Sequence, residues 1–284
     1  MYNVLVVCAL PKELLIVKRQ IKKANIIGIN VDFLQTWMWN YNMIFSLTKK
    51  LKEKKYDFVV NIGISWLKIM VDSENNQYLK YLKMKKEPFY QVSNIFELET
   101  WRELIVPVFF KFWSLSSCIS ANKPIKRVDF RFSFLNHQLF LLDMESYGFE
   151  FVVDKFVIPR IILKVPVDTF DDELIKFDFQ KALKLLEKNI NYQYLLQQVK
   201  TFLDKFKLNN NLDLEKYFDI LPFSQRQKEI FEFLYRKYQF VIWCNFDDFF
   251  IKFLKKNKNK KTNKKIVTKK LIEEIKNLIN KKII

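Results

Sequence analysis

The chain has 284 residues, half of them apolar, enough to bury the core of one large globular domain or two small ones. Its formal charge of +18 is uneven, because residues 251–284 hold 13 Lys and 2 Glu, or +11, which leaves about +7 for the first 250. Such a field attracts polyanions, although lysines spread over a solvated surface produce the same count. A lone histidine, His137, excludes multi-histidine metal sites, and three scattered cysteines, Cys8, Cys118 and Cys244, fit neither a metal nor a disulfide framework but a reducing compartment.

Residues 3–10, NVLVVCAL, are a continuous apolar run rich in β-branched residues, as in a parallel strand buried on both faces. A helix follows, with Pro11 in its first turn and Leu14, Leu15, Val17 and Ile21 at helical spacing. Residues 42–55 read as a helix and 57–64, DFVVNIGI, as a second buried strand, which together make a βαβ arrangement. IVPVFF (105–110) and FRFSFL (130–135) are expected strands. Residues 145–156 read as a helix and 160–167, RIILKVPV, as another buried strand, with Pro159 between them.

One or two helices fill 171–206, and NNNLD (209–213) signals a linker. Beyond it the pattern predicts a helix over 224–238, a short strand at 239–244, a lysine and asparagine-rich run at 252–265 and an amphipathic helix over 266–282. NFDDFFIKF (245–253) reads as core. No apolar run is long enough to span a membrane and the N-terminus lacks a signal-peptide pattern, so a cytoplasmic location is expected.

Three acids fall where chemistry is expected. Glu13 follows the first strand, Glu145 follows the strand-like LFLLDM, and Asp168 directly follows RIILKVPV. In open α/β sheets the ligand crevice lies outside the carboxyl ends of the strands, so all three would face one crevice. Taken alone, Glu145 also suits a helix N-terminus through the helix dipole. Asp171 and Asp172 read as caps of the following helix, His137 as a surface or strand-end residue, and Trp37 and Trp39 as core or interface rather than base-stacking rings.

In order along the chain, four segments resemble the nucleoside phosphorylase and nucleosidase superfamily, in particular the methylthioadenosine and adenosylhomocysteine nucleosidases. They are VLVVCALPKEL (4–14), YDFVVNIGIS (56–65), LLDMESYGFEFV (141–152) and KVPVDTFDD (164–172), and the resemblance covers about 1–206. It implies a phosphorylase-like three-layer α/β domain, a central mixed sheet flanked by helices, followed by a helical, lysine-rich extension at 207–284.

The resemblance also implies roles. Glu13 would activate water, Met144 and Glu145 would hold the ribose, and Asp168 would give a proton to the departing purine. Gly63 and Ser65 would line the substrate site. The substrate would be a purine nucleoside or thio-nucleoside, cleaved by hydrolysis without metal or organic cofactor.

Several positions depart from the pattern. TWMWNYNM (36–43) lacks the family's glycines, which favours water over phosphate as nucleophile. Ile64, Ser65, Trp66 and Leu67 are bulkier than the family's small residues, Val167 replaces a serine, and SANKPI (120–125) offers no aromatic to stack on a base. Two other functions stay open: an inactive phosphorylase-fold protein, or a basic RNA-binding protein. Partners beyond the nucleoside would be a second copy of the chain, or nucleic acid held by the lysines of 251–284.

Overall fold

Val4, Leu5, Val6, Val7 and Cys8 have no exposed surface, as a strand covered on both faces requires, and they form β1 (Tyr2–Cys8) of an eight-stranded mixed sheet. The computed structural model describes residues 1–69, 87–123, 139–169, 179–208, 214–242, 246–257 and 264–283. It divides into two compact units, Met1–Asp204 and Lys205–Ile284.

In the first unit α1 (Pro11–Ala24) leads from β1 to β2 (Ile29–Gln35), and α2 (Asn40–Glu53) leads on to β3 (Phe58–Ile69). Both strands pair with β1 in parallel. The chain continues through β4 (Tyr90–Glu97), β5 (Glu103–Ile105), β6 (Leu115–Ser120), β7 (Leu139–Asp143), α3 (Ser146–Phe156), β8 (Arg160–Thr169), α4 (Phe179–Asn189) and α5 (Tyr192–Leu208).

The length of β3 organises the sheet. Its first half pairs with β1, from Val4 opposite Phe58 to Val7 opposite Asn61, and its end pairs with β7 antiparallel, from Trp66 opposite Leu142 to Ile69 opposite Leu139. Along its other edge it pairs with β8 in parallel. Because β8 also meets β4, β4 meets β6 and β6 meets β7, these five strands close on one another. A register shift opposite Ser65 and Trp66 leaves Val167 as an extra residue in β8, the kind of bulge that re-aims side chains beside a site.

Helices α2 and α3 cover one face, where Met43, Leu47, Phe149 and Val153 pack on Leu5, Val7, Val59 and Ile162. On the other side α1 packs against α4, which lies on β8, and the ring of Phe202 in α5 stands 5.7 Å from that of Phe58. The result is the expected three-layer α/β arrangement. A buried ion pair joins two of its elements: Arg160 at the start of β8 donates to Glu150 of α3 from Nε at 3.0 Å and from Nη2.

The second unit is helical, with α6 (Glu215–Ile220), α7 (Gln225–Ile242), α8 (Phe246–Asn257) and α9 (Lys264–Ile283). Its core is aromatic: the Tyr217 ring lies 4.9 Å from Phe250, and Tyr235 lies 4.7 Å from Phe246. No helix among the described residues is long and apolar enough to cross a membrane.

Several local expectations are corrected. IVPVFF is not a strand, since β5 ends at Ile105 and Pro107 has no N–H to continue a ladder. Residues 239–242 belong to α7, because the helix already anchored by Phe231, Leu234 and Tyr235 propagates through a β-branched stretch. The lysine and asparagine-rich run begins inside a helix: residues 252–257 are the end of α8, whose Phe250 and Phe253 are buried. Trp37 and Trp39 are not core residues: they are 58% and 44% exposed, and both have positive φ, 67° and 83°. FRFSFL, His137, Asp171, Asp172, Cys244 and the 209–213 linker lie outside the described residues.

A close contact between α2 and α3 depends on glycine. Asn40 Oδ1 accepts the Gly148 N–H at 2.8 Å and the Ser120 hydroxyl at 3.1 Å, and a methyl group on Gly148 would sit 2.5 Å from the Asn40 carbonyl oxygen. Gly148→Ala is therefore expected to lower the unfolding free energy by about 1–3 kcal/mol in urea titrations.

Candidate active site

The carboxyl ends of β1 and β7, the middle of β3 and the bulged part of β8 surround a cavity of about 180 Å³. Its wall includes Glu13 and Leu10 from the start of α1, Asn61 to Trp66 from β3, Asp143 to Glu145 after β7, Lys164 and Val167 from β8, Met38 and Phe179. The position is the one expected for ligands of parallel α/β sheets, where strand ends expose backbone and side-chain polar groups that the core cannot satisfy.

Glu13 is 2% exposed and fastened at both oxygens. Oε2 accepts the Leu10 N–H at 3.0 Å, which ties the side chain back to its own helix start, and Oε1 accepts the Ile64 N–H at 3.0 Å, which ties it to β3. The glutamate thus joins α1 to the strand beside the cavity and lies against Gly63, where a methyl group would sit 3.6 Å from Oε1, an ordinary contact.

Asp143 and Glu145 lie two residues apart yet have different surroundings. Asp143 accepts the Lys164 ammonium at 2.6 Å, the Ser146 N–H at 3.2 Å, the Glu145 N–H at 3.3 Å and the Ser146 hydroxyl. Among the described residues Glu145 receives the N–H of Met144 alone, at 3.4 Å, with Lys164 Nζ standing 3.7 Å away. Asp143 is therefore the saturated anion and Glu145 the carboxyl with acceptor capacity to spare.

The protonation behaviour follows. Burial raises Glu145 most, Asp143 and Glu13 add to the rise, and Lys164 opposes it, so its pKa is pushed up to about 8. Burial also raises Glu13, against the Ile64 and Leu10 N–H groups and Lys164. For Asp143 burial acts in the same direction, but Lys164, Ser146 and Ser120 outweigh it and hold the carboxyl below its ordinary range. Lys164 keeps its proton more firmly than usual, since Asp143 and Glu145 overcome the cost of its burial.

Among the described residues, two polar atoms in the wall have no partner. Ser65 Oγ and Asn61 Oδ1 are buried without a hydrogen bond, an arrangement that costs free energy unless something in the cavity meets them. Among the described residues no three His, Cys, Asp or Glu side chains are grouped to hold a metal ion.

Of the residues singled out in the sequence, Glu13, Gly63, Ser65, Met144 and Glu145 line this one cavity. Asp168 lies in β8 opposite Trp66, one residue beyond Val167 of the wall; its side chain is outside what the structure describes. Lys164 was not singled out, because a lysine inside a buried strand reads as a pattern error rather than a signal. The available hint was that clustered buried acids need a cation and that Lys164 is the lysine set inside a buried apolar run. Phe179 and Trp66 bring aromatic surface to the wall that the 120–125 segment does not supply.

No family model and no curated protein matches the sequence. The fold nevertheless matches solved structures. The 5'-methylthioadenosine/S-adenosylhomocysteine nucleosidase of Campylobacter jejuni aligns at a TM-score of 0.54 and 10% identity, over 71% of this chain and 100% of that one. The corresponding enzyme of Neisseria meningitidis, solved with methylthio-immucillin-A, gives 0.53 and 12%, over 71% and 100%. That of Chlamydia trachomatis gives 0.51 and 16%, over 70% and 99%. The chain has the fold of these nucleosidases, as the four sequence segments implied.

The raised Glu145 has a consequence for stability. Its ordinary value is 4.5, so as pH rises toward 8 the unfolded chain ionises this group while the folded chain does not, and stability is lost across that window. The depressed Asp143 acts oppositely, and its contribution disappears only in acid. In urea titrations Glu145→Gln is expected to gain about 1 kcal/mol or more on the native protein between about pH 5 and pH 8. A constant difference would show that Glu145 titrates normally.

Proposed function

We propose that the protein hydrolyses the N-glycosidic bond of a purine nucleoside or thio-nucleoside. The observation that carries this reading is the convergence of Glu13, Met144, Glu145, Gly63 and Ser65 on one cavity at the strand ends. The nucleosidase fold supports it, as does the complex of the Neisseria enzyme with methylthio-immucillin-A.

The chemistry asks for groups of this kind. As the bond from the sugar carbon to the base nitrogen breaks, positive charge grows on the ribose and the base leaves with the electron pair. Asp168 gives the base a proton. Glu145, short of donors, meets the ribose hydroxyls and in its ionised form stabilises the cationic sugar, with Met144 against its apolar face. Glu13 takes a proton from the water whose oxygen bonds to the sugar carbon. Its two backbone hydrogen bonds fix its position and leave a lone pair on each oxygen for that water.

Water is favoured over phosphate as nucleophile. In the segment that would have to cradle an anion, the Thr36 and Trp37 N–H groups are already bound to the carbonyls of Cys8 and Ala9 at 3.1 and 3.0 Å. A cavity stands open beside Trp66, which favours the catalytic reading over one in which the indole fills the pocket.

The test is release of free base from methylthioadenosine, adenosylhomocysteine, inosine and futalosine, with and without phosphate. Phosphate-independent release is expected, falling by about 10²–10⁴-fold in Asp168→Asn and in Glu13→Gln. No release from any of the four by the folded native protein would overturn the proposal.

A further inference from the structure

Lys164 is the one cation on the described wall of the cavity, and its side chain is 2% exposed. Four carriers of charge meet there, each from a different place in the fold: Glu13 from α1, Asp143 from the end of β7, Glu145 from the start of α3 and Lys164 from β8. A single ammonium cannot serve three carboxyls equally, and the distances show how it is divided. Asp143 is in contact at 2.6 Å, whereas Glu145 is at 3.7 Å, beyond a hydrogen bond.

We infer that Lys164 is a positioning residue that clamps Asp143 as a permanent anion and so leaves Glu145 as the free carboxyl that a ligand's hydroxyls meet. The inference rests on the reading of Glu145 as the ribose-holding group and adds what controls it. Asp143 orients the Glu145 backbone by accepting its N–H, and the same aspartate takes the Ser146 N–H and hydroxyl. Glu145 is thus held in place through its main chain while its side chain stays short of donors.

This arrangement makes Lys164 and Asp143 opposing controls on one carboxyl. Lys164 favours the charged form of Glu145, and Asp143 and Glu13 disfavour it. Among the described residues the remaining titratable neighbours are Cys8 and Cys118, which interact with Lys164, and Tyr192, which interacts with Glu13 and Cys8; burial raises all three, so they remain neutral through the range that matters. A lysine that only filled space would exert no such directional control.

The experiment follows the carboxyl of Glu145 directly in the full-length protein labelled with ¹³C at the glutamate side-chain carboxyl, its resonance identified by its loss in Glu145→Gln. Lys164→Met is expected to move the Glu145 midpoint upward, and Asp143→Asn to move it downward, each by about one pH unit or more. Shifts in the same direction, or no shift in either folded variant, would overturn the inference. Should Lys164→Met fail to fold, Asp143→Asn decides alone, a fall in the midpoint supporting the role and an unchanged midpoint ending it. The measurement needs no substrate, so opposite shifts in the two variants, with a native protein that releases no base, would sink the hydrolytic reading and leave the control by Lys164 standing.

Discussion

A lysine buried in the middle of a strand would cost several kcal/mol in an apolar surrounding, and Lys164 is tolerated only because Asp143 lies 2.6 Å from its ammonium. That contact constrains the fold around it. β8 and β7 do not pair with each other; each pairs with β3, so the long β3 must bring Lys164 and Asp143 together. Gly63 of β3 lies between the charged groups, where a methyl group would be 3.5 Å from Lys164 Nζ and 3.6 Å from Glu13 Oε1. The ion pair and the tie from Glu13 to the Ile64 N–H therefore hold α1, β3, β7 and β8 together at the cavity.

The apolar layers determine how strongly these charges act. Val7, Ile62, Leu141, Leu142 and Val165, all without exposed surface, keep water from the cluster, so unequal contacts separate the two neighbouring carboxyls in their protonation. Pairs of acids pushed apart in this way are the usual means by which one site holds both a fixed anion and a group that changes charge near neutrality. Ser65 Oγ and Asn61 Oδ1, without a partner among the described residues, lie in the same wall and offer hydrogen-bonding capacity to whatever enters it.

Much of the first unit could be read from the chain because its central strands are continuous apolar runs, as in β1, the start of β3 and β8. The acids at their carboxyl ends were legible for the same reason: an abrupt Glu13 or Glu145 after such a run marks where the strand leaves the core. The strands that escaped are those with mixed patterns. β2 is an edge with Asp32 in its middle, and β4 and β6 interleave Gln91, Asn94, Ser116 and Ser117 with apolar residues. The role of Lys164 was not legible, since only the pairing of β3 with both β7 and β8 shows that Asp143 is its partner. In the second unit local β propensity at 239–242 gave the wrong answer because helix propagation overrides it.

The most direct measurement is a crystal structure of Asp168→Asn soaked with methylthioadenosine. The account predicts the nucleoside in the cavity with its ribose hydroxyls on Glu145, its apolar sugar face on Met144 and hydrogen bonds to Ser65 or Asn61. A nucleoside bound away from Glu145, or a cavity that stays empty at saturating ligand, would contradict it.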